Sequence, residues 1–160
     1  MKRKQLFIIY LICFILQITI MHHFTICGTS PDLLLVLVMV FSFFYEDFNG
    51  LAFGILFGIL RDICVGPAAG VSSIMFFIIG LGLQLVRFAV YRDNKFILFL
   101  VTAVCVSLYY MGCLAIVTVL LEMNISLMSV AVRLPAAIVW NYVTLLIVCH
   151  FARKTHGFKV

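Results

Sequence analysis

Charged residues are scarce in this sequence. They make up 11% of its 160 residues, whereas 66% are hydrophobic. A soluble domain is about a quarter charged and about half apolar. The shortage of charge therefore excludes an ordinary soluble domain and predicts an integral membrane protein.

Lysine and arginine are missing from long stretches between three clusters, which hold nine of the eleven such residues. The clusters are Lys2, Arg3 and Lys4; Arg87, Arg92 and Lys95; and Arg153, Lys154 and Lys159. Cytoplasmic loops of membrane proteins collect Lys and Arg. Three clusters on one side require an even number of crossings between them, so both termini are predicted in the cytoplasm.

The apolar stretches between the clusters predict an all-α, six-helix transmembrane bundle that forms one domain over residues 1–160. The predicted spans are 6–24, 33–45, 50–64, 71–90, 96–121 and 134–151. The third would be about 22 Å long at 1.5 Å per residue, against a hydrocarbon core of about 30 Å. It is therefore either a short crossing or part of a re-entrant hairpin with the second span. Pro135 is expected in the first turn of the sixth span, after an outer loop at 122–129 and Arg133.

Motifs of catalytic and metal sites are also missing. No G-x-S-x-G, H-E-x-x-H or phosphate-binding loop occurs, and no two cysteines have C-x-x-C spacing. The six acidic residues are all predicted at span ends or in loops, so no carboxylate pair is expected in the bilayer centre. The basic residues lie at span ends, which explains the net charge of +5 without nucleic acid. We expect a non-enzymatic protein without cofactor or metal, in contact with membrane lipids.

Three glycines at four-residue spacing, Gly50, Gly54 and Gly58, lie on one face of the third span. Small residues at this spacing let a neighbouring backbone approach closely, and packing within the chain is favoured over an intermolecular contact. Arg61 and Asp62 follow at the predicted outer end, where water and headgroups would solvate them. Turn capping or local pairing, and contact with a partner, both remain open for these two residues.

Polar residues inside the spans are few. Arg87 shares a predicted helix face with Gly80 and Gln84, which indicates anchoring at the inner surface or recognition of a partner. Five isolated polar residues are expected to hydrogen-bond across helices. They are Gln17, Thr102, Ser107, Thr118 and Asn141.

An ordered set of motifs resembles the rod shape-determining protein MreD family. The sequence Pro31-Asp32-Leu33-Leu34-Leu35 opens the second span, and Gly50, Gly54, Gly58 and Asp62 follow at four-residue spacing, before Gly66 and Gly70. The small size, the six spans and the cytoplasmic termini extend the resemblance over the chain. Glu46 and Asp47 depart from the basic or neutral inner turn expected of the family, so the topology of the second and third spans stays open.

The resemblance implies a non-enzymatic inner-membrane component of the bacterial elongation machinery, which positions lateral peptidoglycan synthesis. Family members associate with the MreC scaffold and, through it, with the MreB filament, the RodA glycosyltransferase and a penicillin-binding transpeptidase. A fold shared with the substrate-binding subunits of energy-coupling-factor transporters is also implied. The alternative function is therefore a vitamin-binding transporter subunit with a pocket under the outer loops. The candidate residues for helix packing or partner contact are Pro31, Asp32, Gly50, Gly54, Gly58, Arg61, Asp62, Gly66, Gly70 and Arg87.

Overall fold

Six α-helices form the described part of the computed structural model, which covers residues 3–19, 29–44, 48–65, 69–86, 95–121 and 127–156. The helices are α1 (Arg3–Thr19), α2 (Leu33–Phe44), α3 (Phe48–Val65), α4 (Val71–Val86), α5 (Lys95–Leu121) and α6 (Leu127–His156). The predicted all-α class is confirmed in this part of the chain. Helices α3, α5 and α6 each contain a stretch long and apolar enough to cross a membrane.

Helix α2 lies at the centre and contacts α1, α3, α4 and α6. Every residue from Leu34 to Phe43 is at most 5% exposed. The sequence explains this position, because α2 is apolar on all sides and such a helix is stable only when it is completely surrounded by apolar material. At 12 residues the helix is about 18 Å long, well short of the hydrocarbon core of about 30 Å.

Helix α3 packs its glycine face against α2 and α4. A Cβ atom at Gly50 would lie 2.6 Å from Phe41 Cβ, and one at Gly58 would lie 3.1 Å from the Cα atom of Ser73. Gly54 faces Val38 with no room for a side chain. The Ser73 hydroxyl also donates a hydrogen bond to the carbonyl of Ile55, at 2.7 Å. These glycines therefore set the spacing of three helices.

Helix α6 differs from its prediction. It begins at Leu127 and contains Pro135 in its interior, so the expected start at residue 134 is wrong, as is the loop assignment of residues 127–129. Arg133 lies inside the helix and is exposed. Proline lacks the N–H that bonds four residues back, but membrane helices tolerate it where neighbouring groups satisfy the freed carbonyl. Pro135 therefore does not mark the first turn of α6.

The other boundaries agree more closely with the predicted spans. Helix α3 has 18 residues, which makes it about 27 Å long, and this exceeds the length predicted for the third span. Helix α4 is described to Val86, so Arg87 and the end of its predicted span lie outside the described residues, as do Gly66 and the turn with Glu46 and Asp47.

Replacing Gly54 with leucine should destabilise the bundle. The new side chain would collide with Val38, and overpacking of this kind costs about 1–3 kcal/mol. The free energy of unfolding in mixed micelles, followed by circular dichroism, measures the effect. The matched control is Gly82→Leu, because a Cβ atom at Gly82 meets no other heavy atom within 4 Å. Equal stability of the two variants would contradict the packing that we describe.

Candidate functional site

Polar side chains from five helices and from Asp32, just before α2, meet around the N-terminus of α2. We call this set the polar junction. Its members are Gln17 of α1, Asp32 just before α2, Arg61 and Asp62 of α3, Ser72 of α4, Tyr109 of α5 and Asn141 of α6. The prediction that both termini are cytoplasmic would place this junction toward the outer side of the membrane.

An ion pair between Arg61 and Asp32 forms the centre of the junction. Arg61 Nη1 lies 2.5 Å from Asp32 Oδ2, and the two side chains are 24% and 5% exposed. The same nitrogen donates to the Tyr109 hydroxyl at 2.8 Å, and the guanidinium lies 5.8 Å from the centre of the Tyr109 ring. Charge-assisted hydrogen bonds are about twice as strong as neutral ones. The pair therefore links α2 and α3 directly and α5 through the tyrosine.

Each aspartate of the junction caps a helix. Asp32 Oδ1 accepts a hydrogen bond from the backbone N–H of Leu35 at 3.2 Å, the usual geometry of an N-cap residue. Asp62 Oδ2 accepts one from the N–H of Ser72 at 2.7 Å, in the first turn of α4. Gly70 precedes α4 with a φ of +94°, which glycine adopts readily. Since Gly70 has no side chain to cap α4, the preceding helix supplies Asp62 instead.

The charges of the junction nearly cancel. Two carboxylates contribute two negative charges and Arg61 contributes one positive charge. The N-terminus of a helix carries roughly half a positive charge, so α2 and α4 together contribute about one more. The sum is close to zero, and this explains how two carboxylates are buried together without a second basic side chain in the junction.

Two side-chain amides complete the hydrogen bonding around the start of α2. Asn141 Oδ1 accepts from the N–H of Asp32 at 3.0 Å, and Gln17 Oε1 accepts from the N–H of Leu33 at 2.8 Å. Gln17 Nε2 donates to the carbonyl of Pro31 at 3.1 Å. The first N–H groups of a helix have no partner within it. These amides therefore provide acceptors that water would provide at an exposed helix end.

The junction corrects part of the sequence analysis. Asp62 is only 4% exposed, so the expectation that water and headgroups solvate it is wrong, whereas the Arg61 side chain keeps 24% of its surface exposed. The physical reason is that α4 and Tyr109 of α5 pack over the end of α3. Arg61 pairs with Asp32 and Asp62 caps α4, while their contact with a partner stays a prediction. Asp32, which is predicted at a span end, pairs with Arg61.

Four of the five isolated polar residues divide into two groups. Gln17 and Asn141 hydrogen-bond across helices, as expected. Thr102 and Thr118 instead donate to carbonyls of their own helix, those of Leu98 at 2.8 Å and Leu114 at 2.9 Å, so the expectation was wrong for them. The hydroxyl of a threonine inside a helix can reach the carbonyl one turn back. The pattern of polar residues in the sequence does not show whether it bonds there or to another helix.

Sequence reasoning missed Ser72 and Tyr109. Both are common residue types in membrane helices, and no spacing distinguishes them, so only the packing of α4 and α5 against α3 identifies them. Among the described residues, no group of three or more His, Cys, Asp or Glu side chains is arranged to hold a metal ion. The junction therefore consists of one ion pair, two caps and their hydrogen-bond partners.

The comparisons with known proteins give one result. A family model described as rod shape-determining protein MreD matches residues 2–155, which is nearly the whole chain. Neither the curated proteins nor the solved structures include a match to this chain. The similarity to energy-coupling-factor subunits therefore stays a prediction.

Removing the Arg61 charge should lower the free energy of unfolding, unless the charge of Asp32 is removed as well. Arg61→Met leaves a buried carboxylate unpaired, and breaking a buried pair costs about 3 kcal/mol. Asp32→Asn keeps an oxygen for the cap, so the double variant should be clearly more stable than Arg61→Met alone. A double-mutant cycle of unfolding free energies in micelles measures this coupling. Strictly additive effects would contradict a direct interaction between the two residues.

Proposed function

Because the chain belongs to the MreD family of rod shape-determining proteins, we propose that it is a non-enzymatic component of the bacterial elongation complex. It lies in the plasma membrane as a single multi-pass domain with both termini in the cytoplasm. Its task is to help position lateral peptidoglycan synthesis by binding other membrane proteins. Membership in a family that determines rod shape is the observation that carries this proposal.

The proposed mechanism uses the bundle as a rigid surface. The polar junction connects α1, α3, α4, α5 and α6 around the start of α2, and the glycines of α3 hold α2 and α4 close to it. Association of helices in a bilayer depends on packing and interhelical hydrogen bonds, because lipid is as apolar as the helices. A bundle of fixed shape suits this kind of recognition, since the partner then orders few side chains on binding.

The proposed partners are an MreC-like scaffold protein and, through it, the MreB filament, the RodA glycosyltransferase and a penicillin-binding transpeptidase. Asp32, Asp62, Gly54 and Gly58 are buried within the bundle. We therefore assign them to the shape of the binding surface and not to direct contact with a partner. Direct contact would involve the exposed apolar faces, such as that of Leu56 and Ile63 on α3.

The vitamin-binding alternative has less support. Its pocket was expected under loops that lie partly outside the described residues. The described polar side chains nearest to them, Asp32, Arg61 and Asp62, bond to groups within the bundle. A stoichiometric small molecule in the purified protein, together with an ATPase pair, would favour transport over the elongation complex.

The proposal predicts that specific proteins co-purify with this protein and that cells without it lose their rod shape. The tagged protein, purified in mild detergent from its own host and analysed by mass spectrometry, should carry an MreC-like protein or cell-wall synthases. Depleting it should turn rod-shaped cells round. In cells depleted of the native protein, Arg61→Met should fail to restore the rod shape, because it disrupts the junction.

Arg133→Met is the matched control for this experiment. It also removes an arginine from a helix, but at an exposed position of α6 outside the junction, and it should restore the rod shape. Immunoblots of membrane fractions check that both variants accumulate. Unchanged cell shape after depletion, in a host without a second copy, would refute the proposed function.

A further inference from the structure

The guanidinium of Arg61 uses only one of its three nitrogens within the bundle. Nη1 donates both to Asp32 and to the Tyr109 hydroxyl. The described residues provide no acceptor for Nε or Nη2, and neither of these is a buried atom without a partner, so both remain accessible. The side chain as a whole is 24% exposed. The N–H groups on Nε and Nη2 are therefore available to a ligand.

This free edge of Arg61, formed by Nε and Nη2, has the geometry of an anion site. The two nitrogens form a fork that binds two oxygens of one carboxylate or phosphate side by side. Asp32 does not occupy this fork, because its second oxygen caps α2 through the N–H of Leu35. The charges of the junction already sum to nearly zero, so an anion with one negative charge suits the site better than one with two.

The depth of Arg61 in the membrane excludes a lipid headgroup as this anion. The apolar stretch of α5 continues ten residues beyond Tyr109, to Val119, and that of α6 begins nine residues before Asn141, at Val132. At 1.5 Å per residue these distances are about 15 and 14 Å. Tyr109 and Asn141 belong to the same junction as Arg61. Arg61 therefore lies well inside the hydrocarbon layer, whereas lipid phosphates lie at its edge.

A small molecule is also a poor occupant of this site. Such ligands bind in concave pockets where several polar groups converge. The other polar side chains of the junction are bonded to each other or to the starts of α2 and α4, so a ligand would find only one fork. One such contact is sufficient for a protein partner, because its affinity comes from a whole interface in which arginine is often a hot spot.

The surface of α3 beside Arg61 is open to a partner. Cys64 lies three residues further along, hence on the same side of the helix, and it is exposed. Charged residues inside membranes commonly pair with one another. We propose that the free edge of Arg61 binds the carboxylate of an Asp or Glu in a membrane-embedded segment of the MreC-like partner. This inference rests on the proposed function and specifies the chemistry of the partner contact.

The variant Arg61→Lys separates the free edge from the ion pair. Lysine keeps the positive charge and has three donors, enough for Asp32 and Tyr109, but its single nitrogen forms no fork. The thermal unfolding curve should therefore stay close to that of the unaltered protein. The amount of MreC-like protein that co-purifies in mild detergent, measured by quantitative mass spectrometry, should fall roughly tenfold, which corresponds to the loss of one charge-assisted hydrogen bond.

Arg133→Lys is the matched control, because it makes the same exchange at an exposed position of α6 outside the junction. It should leave co-purification unchanged. Full co-purification with Arg61→Lys would overturn the inference and leave the proposed function standing. Absence of the MreC-like protein from the unaltered sample would instead overturn the proposed function, and the inference with it.

A photoreactive amino acid in place of Cys64 tests the same contact while Arg61 is intact, so its result holds even if Arg61→Lys is unstable. Illumination of cells should give an adduct with a segment of the MreC-like protein that contains Asp or Glu. Replacing that acid with its amide should lower co-purification by the same factor, and combining it with Arg61→Lys should lower it no further. An adduct with lipid, or with a segment that has no acidic residue, would overturn the inference.

Discussion

The N-terminus of α2 is buried inside the bundle, and most of the polar architecture follows from that constraint. The first N–H groups of a helix need acceptors, and Asp32 and Leu35 at this helix start are buried. Asp32, Gln17 and Asn141 supply the acceptors from the helix start, from α1 and from α6. The carboxylate that caps α2 then needs a positive partner, which explains why Arg61 turns inward from α3.

The same constraint connects the junction to the glycines. Since α2 is enclosed from Leu34 to Phe43, its neighbours must approach it closely, and α3 does so through residues without side chains. A close approach of α3 brings Arg61 to Asp32 and Asp62 to the start of α4. The glycine spacing and the aspartates are therefore parts of one arrangement, although they lie at different heights in the bundle.

The sequence allowed several of these features to be predicted and concealed others. Helix number and most boundaries followed from apolar stretches and from the positions of Pro31 and the glycines. The polar junction could not be predicted from the sequence. A charged residue at a span end is equally compatible with exposure to water and with burial against a residue far away in the sequence. Asp32 and Asn141 are separated by 109 positions, and only the packed bundle shows that they meet. Pro135 misled the prediction of α6, since proline is frequent inside membrane helices as well as at their starts.

The contact between Asp32 and Asn141 also bears on how the chain is assembled during synthesis. Helix α2 is synthesised before α6, and the side chain that accepts the N–H of Asp32 belongs to Asn141 of α6. Until α6 is inserted, the start of α2 lacks one of its acceptors and one of its four surrounding helices. The native arrangement of α2 is therefore completed only after translation has passed Asn141.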